Sequence, residues 1–497
     1  LKDILSVSRR RAGVRVTRNT GFLVSGQLIT ALFVLLLLSV LGRKLMPEGF
    51  GLYRLAFKWA MCAGIILDFG SRQFVIREIA KDHRLLGRLV LSGLGMRIFL
   101  FLPILASFIA IAFVAYRSNY IVLLITLACT SISIKVSTDY LLSFFHGLER
   151  MEFSAVILPL QSILVYVASI LAIVLLGAEP HVVFLFDIGA ACLVFALTFI
   201  VLKVKVPFPI ALPAPTEVWD LMRSCAPFAA MYIFGMMSFW LDTVVLSFVL
   251  TAGEMARDIG MYESVSALVG YAQRFPQLYA AAVYPVLVRE LALHPDKVET
   301  ILKSSIKILL IFSLPLASAW CVLAQPLGRF VYRGEMYDSA VPIAMILVWV
   351  LPLRFMCHLL IVSLNAAHCE RINAWISVGT AICAILLIAT LGHYLGARGA
   401  ALGVVTASAV MATAYIHFVR KHVAKSLLSR GSLMMFPISA ITALALWWMP
   451  VESLPLRASL GAAVCLLAIV LFGVISKEEL RLALAWLKKT DAAPEVG

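Results

Sequence analysis

The chain has 497 residues, 62% of them hydrophobic and 14% charged, with a net charge of +15 and a mean hydropathy of +0.98. A soluble domain has roughly 45–50% apolar and about 25% charged residues, so this composition excludes a chain of soluble domains. Apolar runs of about 20 residues, each long enough to cross a hydrocarbon core about 30 Å thick, recur from Gly21 to Ile475, and the basic excess fits membrane-flanking segments better than nucleic-acid binding.

The N-terminal stretch carries Arg9, Arg10, Arg11, Arg15 and Arg18 before the apolar run Phe22 to Leu41. That run is longer than a signal-peptide core and has no small-residue cleavage site, so it is expected to be the first membrane helix. In chain order the hydropathy predicts fourteen helices: 20–42, 50–71, 89–115, 119–145, 153–177, 181–202, 224–250, 259–288, 300–325, 338–366, 372–393, 398–419, 432–449 and 457–475. The eighth and tenth exceed the bilayer thickness. Pro276 and Pro285 in one, and Pro342 and Pro352 in the other, are expected bend points. With the N-terminus inside, cytoplasmic segments hold 28 Lys/Arg, external loops hold 8, and six lie inside helices, which predicts both termini in the cytoplasm.

Residues 1–19 form a basic cytoplasmic N-terminus in this reading, and 20–202 a first six-helix bundle. The segment 203–223, with Pro207, Pro209, Pro213 and Pro215, reads as a stiff cytoplasmic linker. A second six-helix bundle follows at 224–419, then two extra helices within 420–475 and a cytoplasmic tail, 476–497, with a short charged helix expected at Lys477 to Lys489. The two bundles are marked by an internal repeat. Gly51-Leu52-Tyr53 opens the first copy and Gly260-Met261-Tyr262 the second, an offset of 209; Arg77-Glu78 and Arg289-Glu290 close them at an offset of 212. Copies of even helix number share one orientation, so a pseudo-twofold axis along the membrane normal is expected.

Ionisable residues inside these helices are the candidate functional groups, because a charge in hydrocarbon is costly and faces a cavity or a partner. Helix 2 holds Arg54, Lys58 and Asp68 on nearly one face. Helix 8 holds Glu263, the repeat equivalent of Arg54, and Arg274 about 16 Å further along the axis. Arg97, Lys135 with Asp139 one turn away, Asp187, Asp242 and Arg354 with His358 complete the set. Arg54 and Arg97 alternatively snorkel to the interface, Lys135 and Asp139 alternatively neutralise one another, and Asp187 reads as structural. The cationic cavity candidates are therefore Arg274, Arg354, Lys58, Arg54, Arg97 and Lys135, a surface suited to an anionic cargo; Asp68, Asp242 and Glu263 are candidates for proton or sodium coupling. The nine cysteines form no Cys-x-x-Cys pair and lie almost wholly in apolar segments, so they read as packing residues; no metal site, cofactor site or phosphate-binding glycine loop stands out.

The chain resembles the polysaccharide transporter family, the O-antigen-type flippases of the multidrug/oligosaccharidyl-lipid/polysaccharide exporter superfamily. The resemblance is carried by Asn19-Thr20 with Gly26, Gly49-Phe50-Gly51-Leu52-Tyr53, Asp68-Phe69-Gly70, Arg77-Glu78-Ile79-Ala80-Lys81-Asp82, Phe239-Trp240-Leu241-Asp242, Gly260-Met261-Tyr262, Ala282-Val283-Tyr284-Pro285, Tyr337-Asp338-Ser339-Ala340, Leu364-Asn365-Ala366 and Gly396-Ala397-Arg398-Gly399-Ala400-Ala401. It implies an all-α polytopic fold, two six-helix bundles in a V plus two C-terminal helices. It also implies a non-enzymatic, alternating-access flippase that moves an undecaprenyl-diphosphate-linked oligosaccharide across the bacterial cytoplasmic (inner) membrane for O-antigen, capsule or exopolysaccharide synthesis. The implied partners are the lipid-linked oligosaccharide, membrane lipids, a coupling proton or sodium ion, and a polysaccharide polymerase with glycosyltransferases. A lipid II flippase and a multidrug exporter of the same superfamily remain alternatives, as does an O-antigen polymerase or ligase, whose sizeable external loop has no counterpart here.

Overall fold

The computed structural model describes residues 2–148, 150–177, 179–209, 212–237, 240–251, 253–332, 335–449 and 453–474, with side chains described at Gly26 and from Ile29 onward apart from 31, 227, 228, 230–232, 234–237, 335 and 336. The described chain is helical throughout. α1 (Lys2–Asp68) is followed by α2 (Ser71–Lys81), α3 (Leu86–Tyr116), α4 (Asn119–Gly147), α5 (Met151–Leu176), α6 (Pro180–Lys205), α7 (Pro215–Met237) and α8 (Asp242–Val249). Then come α9 (Met255–Ala272), α10 (Arg274–Leu293), α11 (Pro295–Tyr332), α12 (Val341–Leu347), α13 (Val350–Ala366), α14 (Glu370–His422), α15 (Arg430–Trp448) and α16 (Leu454–Leu471). Among the described residues eight helices are long and apolar enough to cross a membrane, and the bent pair α12–α13 makes a ninth. The two longest helices hold two predicted spans each. α1 is broken at Met46 (φ 60°) and α14 at Gly396 (φ 60°). Each of the fourteen predicted helices thus falls on a helical segment; the expected tail helix, Lys477 to Lys489, lies outside the described residues.

The breaks have local causes. Met46 precedes Pro47, whose ring disfavours helical geometry in the residue before it. A proline also deprives the carbonyl four residues earlier of its hydrogen bond and crowds it. Pro276 acts on the Ala272 carbonyl, and predicted helix 8 is broken at Gln273; Pro352 acts on Val348, and predicted helix 10 bends by 44° at Val348–Trp349. Two expectations are corrected. Predicted helix 7 starts nine residues early, at Pro215, where proline suits a first helical turn. The extended stretch after α6 is therefore shorter than the expected linker. The same predicted helix does not run unbroken to residue 250: Trp240 and Leu241 are not helical, and α8 begins at Asp242.

The helices form two compact units. The first contains the chain up to Ser264 with Tyr332–Tyr337 and Ser377–Gly403. In it α1 lies along α4 and α5, and α4 lies along α6. Tyr140, Phe144, Phe145, Val75, Ile79 and Val90 make a closed apolar core. The second unit contains Val265–Val331, Asp338–Ile376 and the chain from Val404 onward, with α10 against α13 and α15 against α16.

The repeat becomes physical inside the first unit. A Cβ on Gly51 would lie 1.9 Å from the Ala256 carbonyl oxygen, and a Cβ on Gly260 would lie 1.9 Å from the Pro47 carbonyl oxygen. Gly260 is the repeat equivalent of Gly51, and Ala256 that of Pro47. The two segments therefore cross reciprocally, each glycine admitting the other's backbone, as small residues do where membrane helices touch. Aromatic rings pack beside this crossing. Tyr332 donates to the Ser264 carbonyl (2.7 Å), Tyr337 donates to the Gly42 carbonyl (3.0 Å), their rings stack at 4.5 Å, and the Phe50 ring stands edge-on at 6.0 Å.

Candidate functional site

One to two turns beyond Gly51 on α1, Arg54 and Lys58 share a face. They meet the two carboxylates that the second repeat copy and α8 contribute. Arg54 reaches Glu263 Oε2 through Nη2 (2.7 Å) and Nε (2.8 Å). Lys58 Nζ lies 2.8 Å from Asp242 Oδ1 and 3.2 Å from Glu263 Oε1. Thr243 donates its hydroxyl to Glu263 Oε1, and Tyr262 donates to Asp242 Oδ2 at 2.8 Å. Aromatic faces cover the cations, Phe57 at 5.1 Å from the Arg54 guanidinium and Trp240 at 5.5 Å from Lys58. All four ionic side chains are buried; Glu263 has no exposed surface at all. Every carboxylate oxygen in the group has a donor and the charges sum to zero, which is how an intramembrane ion cluster avoids an uncompensated charge. Four of the nine predicted site residues are thereby brought into one network. Arg54 and Glu263 are repeat equivalents.

A second network surrounds Asp68. α1 ends there because Phe69 (φ 48°) and Gly70 (φ 67°) are both left-handed, which turns the chain into α2. Asp68 Oδ1 takes Arg72 Nε at 3.0 Å and Arg97 Nη2 at 3.5 Å. Arg97 also donates to Ser71 Oγ (2.9 Å) and the Gly93 carbonyl (3.1 Å), and its guanidinium lies over the Tyr140 ring at 3.8 Å. It is 3% exposed, so it is locked in the helix layer and does not snorkel.

The alternative of mutual neutralisation between Lys135 and Asp139 is corrected. One helical turn separates them on α4, but α6 packs against α4 and presents Asp187. Lys135 Nζ lies 2.7 Å from both oxygens of Asp187, and Ser131 donates to the same carboxylate. Asp139 instead faces Arg72 at 3.5 Å.

The remaining two predicted cations lie in the second unit. At the break before α10, Gln273 is buried and its Oε1 accepts from Arg354 Nη1 of α13 (3.3 Å). Arg354 Nε donates to Ser408 Oγ of α14 (3.3 Å). Arg274, the first residue of α10, is exposed, with its guanidinium 5.7 Å from the Tyr271 ring centre. Among the described residues no carboxylate pairs with Arg274. Its charge adds to the positive end of a 20-residue helix.

The residues that sequence reasoning missed are mostly neutral: Gln273, Ser408, Thr243 and Tyr262, with the cation Arg72. Tyr262 stands in the repeat motif, and that was its one visible signal. The other neutral residues gave none, because a search for intramembrane charge passes over amides and hydroxyls.

The described chain is thus a multi-pass bundle of broken helices with buried ion networks. The structure is similar to that of the lipid II flippase MurJ in an inward closed conformation, with a TM-score of 0.71 at 13% identity over 93% of this chain and 99% of that one. It is also similar to a multidrug resistance MATE family transporter in an inward-facing conformation, at 0.67 and 17% over 80% and 95%. A MOP superfamily transporter from Pyrococcus furiosus, reported with a binding pocket of reversed polarity, matches at 0.53 and 15% over 83% and 95%. No curated protein sequence matches the chain. The profile of the polysaccharide biosynthesis protein family matches residues 16–291, more than half of the chain, and the protein belongs to that family.

Proposed function

We propose that the protein is a flippase for polyprenyl-diphosphate-linked oligosaccharide, undecaprenyl diphosphate being the expected carrier, and that it works by alternating access in the bacterial inner membrane with both termini in the cytoplasm. The observation that carries this reading is Arg274. An exposed guanidinium inside a predicted span, at a helix N-terminus and one residue after the Gln273 that accepts from Arg354, suits a diphosphate, which it can hold by charge and by paired N–H donors. Family membership supports a polysaccharide precursor as the cargo. Two six-helix bundles joined by the stretch between α6 and α7 and followed by two additional helices are retained as part of the proposal.

Asp242 and Glu263 are held by Lys58 and Arg54, which stand where a sodium ion would sit. This favours a proton over sodium as the coupling ion, since protonation of a carboxylate loosens such a pair without inserting a second cation. A lipid II cargo is the second reading, favoured by similarity to 99% of the MurJ chain; it shares the polyprenyl diphosphate and differs in the sugar.

The test is leaflet transfer in proteoliposomes of a fluorescent polyprenyl-diphosphate oligosaccharide or of lipid II, with a proton gradient, a sodium gradient or neither. Transfer above protein-free liposomes supports a flippase, and the preferred lipid decides between the cargoes. Extrusion of an organic cation without lipid transfer overturns both readings in favour of a drug exporter. Unchanged transport in the Arg274→Ala, Arg354→Ala double variant removes those residues from the site.

A further inference from the structure

The second unit contains an apolar cavity of about 470 Å³ that the transport reading leaves without a role. Leu310 and Leu314 of α11, Trp349 beside the α13 break, Leu353 of α13 and Phe436 of α15 line its depth, and Arg420 of α14 lines it where α14 ends. The floor at that end is the loop after α14, whose position is fixed by hydrogen bonds. Arg420 Nε donates to the Lys425 carbonyl (3.1 Å), and the Ser426 amide donates to Glu299 Oε2 (3.4 Å). Glu299 is also held by Lys303 at 2.8 Å. Leu310 and Leu314 lie 11 and 15 residues beyond Glu299 on the same helix, about 16 and 22 Å along its axis. The cavity therefore runs from the loop to a depth comparable with one leaflet of a hydrocarbon core about 30 Å thick.

Glu299 at the loop is held by Lys303, and the loop's own charges are of one sign. Residues 420–430 contain Arg420, Lys421, Lys425 and Arg430, all exposed, and no Asp or Glu. Arg420 stands one turn from the apolar lining residue Ile416, so one helix face offers a guanidinium at the membrane surface and an aliphatic wall below it. A bilayer lipid with a single anionic phosphate and no compensating ammonium matches that arrangement in depth, polarity and charge.

We infer that this groove binds an anionic phospholipid, its phosphate on Arg420 and an acyl chain beside Trp349. The inference is independent of the cargo. It is tested with the full-length protein in phosphatidylcholine nanodiscs doped, at equal mole fraction, with phosphatidylglycerol or phosphatidylcholine brominated in mid-chain. Quenching of Trp349 is obtained as the difference between the wild type and Trp349→Phe. One basic contact at a membrane surface corresponds to about a fivefold preference for the anionic lipid. Quenching by brominated phosphatidylglycerol is expected to exceed that by brominated phosphatidylcholine accordingly, to lose the excess in Arg420→Gln, and to keep it in Lys421→Gln. Should Arg420→Gln fail to fold, the same excess in the wild type is expected to fall at high salt. Equal quenching by the two lipids overturns the proposal, and so does an excess that survives both Arg420→Gln and high salt. Displacement of the brominated lipid by a polyprenyl phosphate overturns it in favour of a prenyl chain as occupant.

Discussion

Two of the places where this chain keeps cations among its membrane helices are built on different principles. In the first unit Arg54 and Lys58 are matched by Glu263 and Asp242, every carboxylate oxygen has a donor, and all four side chains are buried. In the second unit Arg354 hydrogen-bonds to an amide and a hydroxyl, and Arg274 is exposed at the start of α10. The first arrangement ties segments together; the second leaves the exposed Arg274 guanidinium at the start of a helix. Embedded charge on its own is therefore no sign of a binding surface.

Glu263→Gln should break this contrast most strongly, because it leaves Arg54 and Lys58 with one carboxylate between them. A loss of about 3–5 kcal/mol is expected, read as a lowered unfolding temperature in detergent. Arg54→Gln combined with Glu263→Gln should recover part of it, and purely additive losses in the double-mutant cycle would show that the pair is not coupled. Next come Gly51→Ala and Gly260→Ala, each of which places a methyl against a backbone carbonyl; about 1–3 kcal/mol is expected from such overpacking. The two should be nearly equal, and a large inequality would break the reciprocity of the crossing. Arg274→Ala sharpens the comparison from the other side. Its unfolding temperature should stay within the scatter of about 0.5 kcal/mol for surface changes, while lipid transfer falls.

The smallest effect lies outside the membrane helices, in α2. Glu78 accepts from Lys81 (3.1 Å) and Arg77 (3.0 Å), and these cations hold its carboxyl below the usual carboxylate range. A depressed folded-state value contributes stability above the unfolded value and loses it as pH falls through the folded one. The wild type should therefore exceed Glu78→Gln by a few tenths of a kcal/mol at neutral pH, as an exposed pair does. The gap in unfolding temperature should close on acidification below the ordinary carboxylate range.

Much of this was visible in the residues. Fourteen apolar runs fall on fourteen helical segments, and Pro276 and Pro352 mark two of the breaks because each acts on the carbonyl four residues behind it. The offset of 209 named Gly51 with Gly260 and Arg54 with Glu263 as equivalents, and the fold made each couple a contact. Lys135 was misjudged because its turn-mate Asp139 is near in sequence, whereas Asp187 arrives only through the packing of α6 on α4. Gln273 and Ser408 were invisible for a related reason: a neutral side chain becomes part of a site only when the fold delivers an arginine to it.

The Arg54–Glu263 pair bears on how such a chain could arise. In a symmetric dimer of one short polypeptide, a residue at this crossing meets its own copy, so an arginine faces an arginine and a glutamate faces a glutamate. Joining two copies in a single gene lets each position mutate alone. A self-repelling contact can then become an attractive one by changing one codon and leaving its twin untouched.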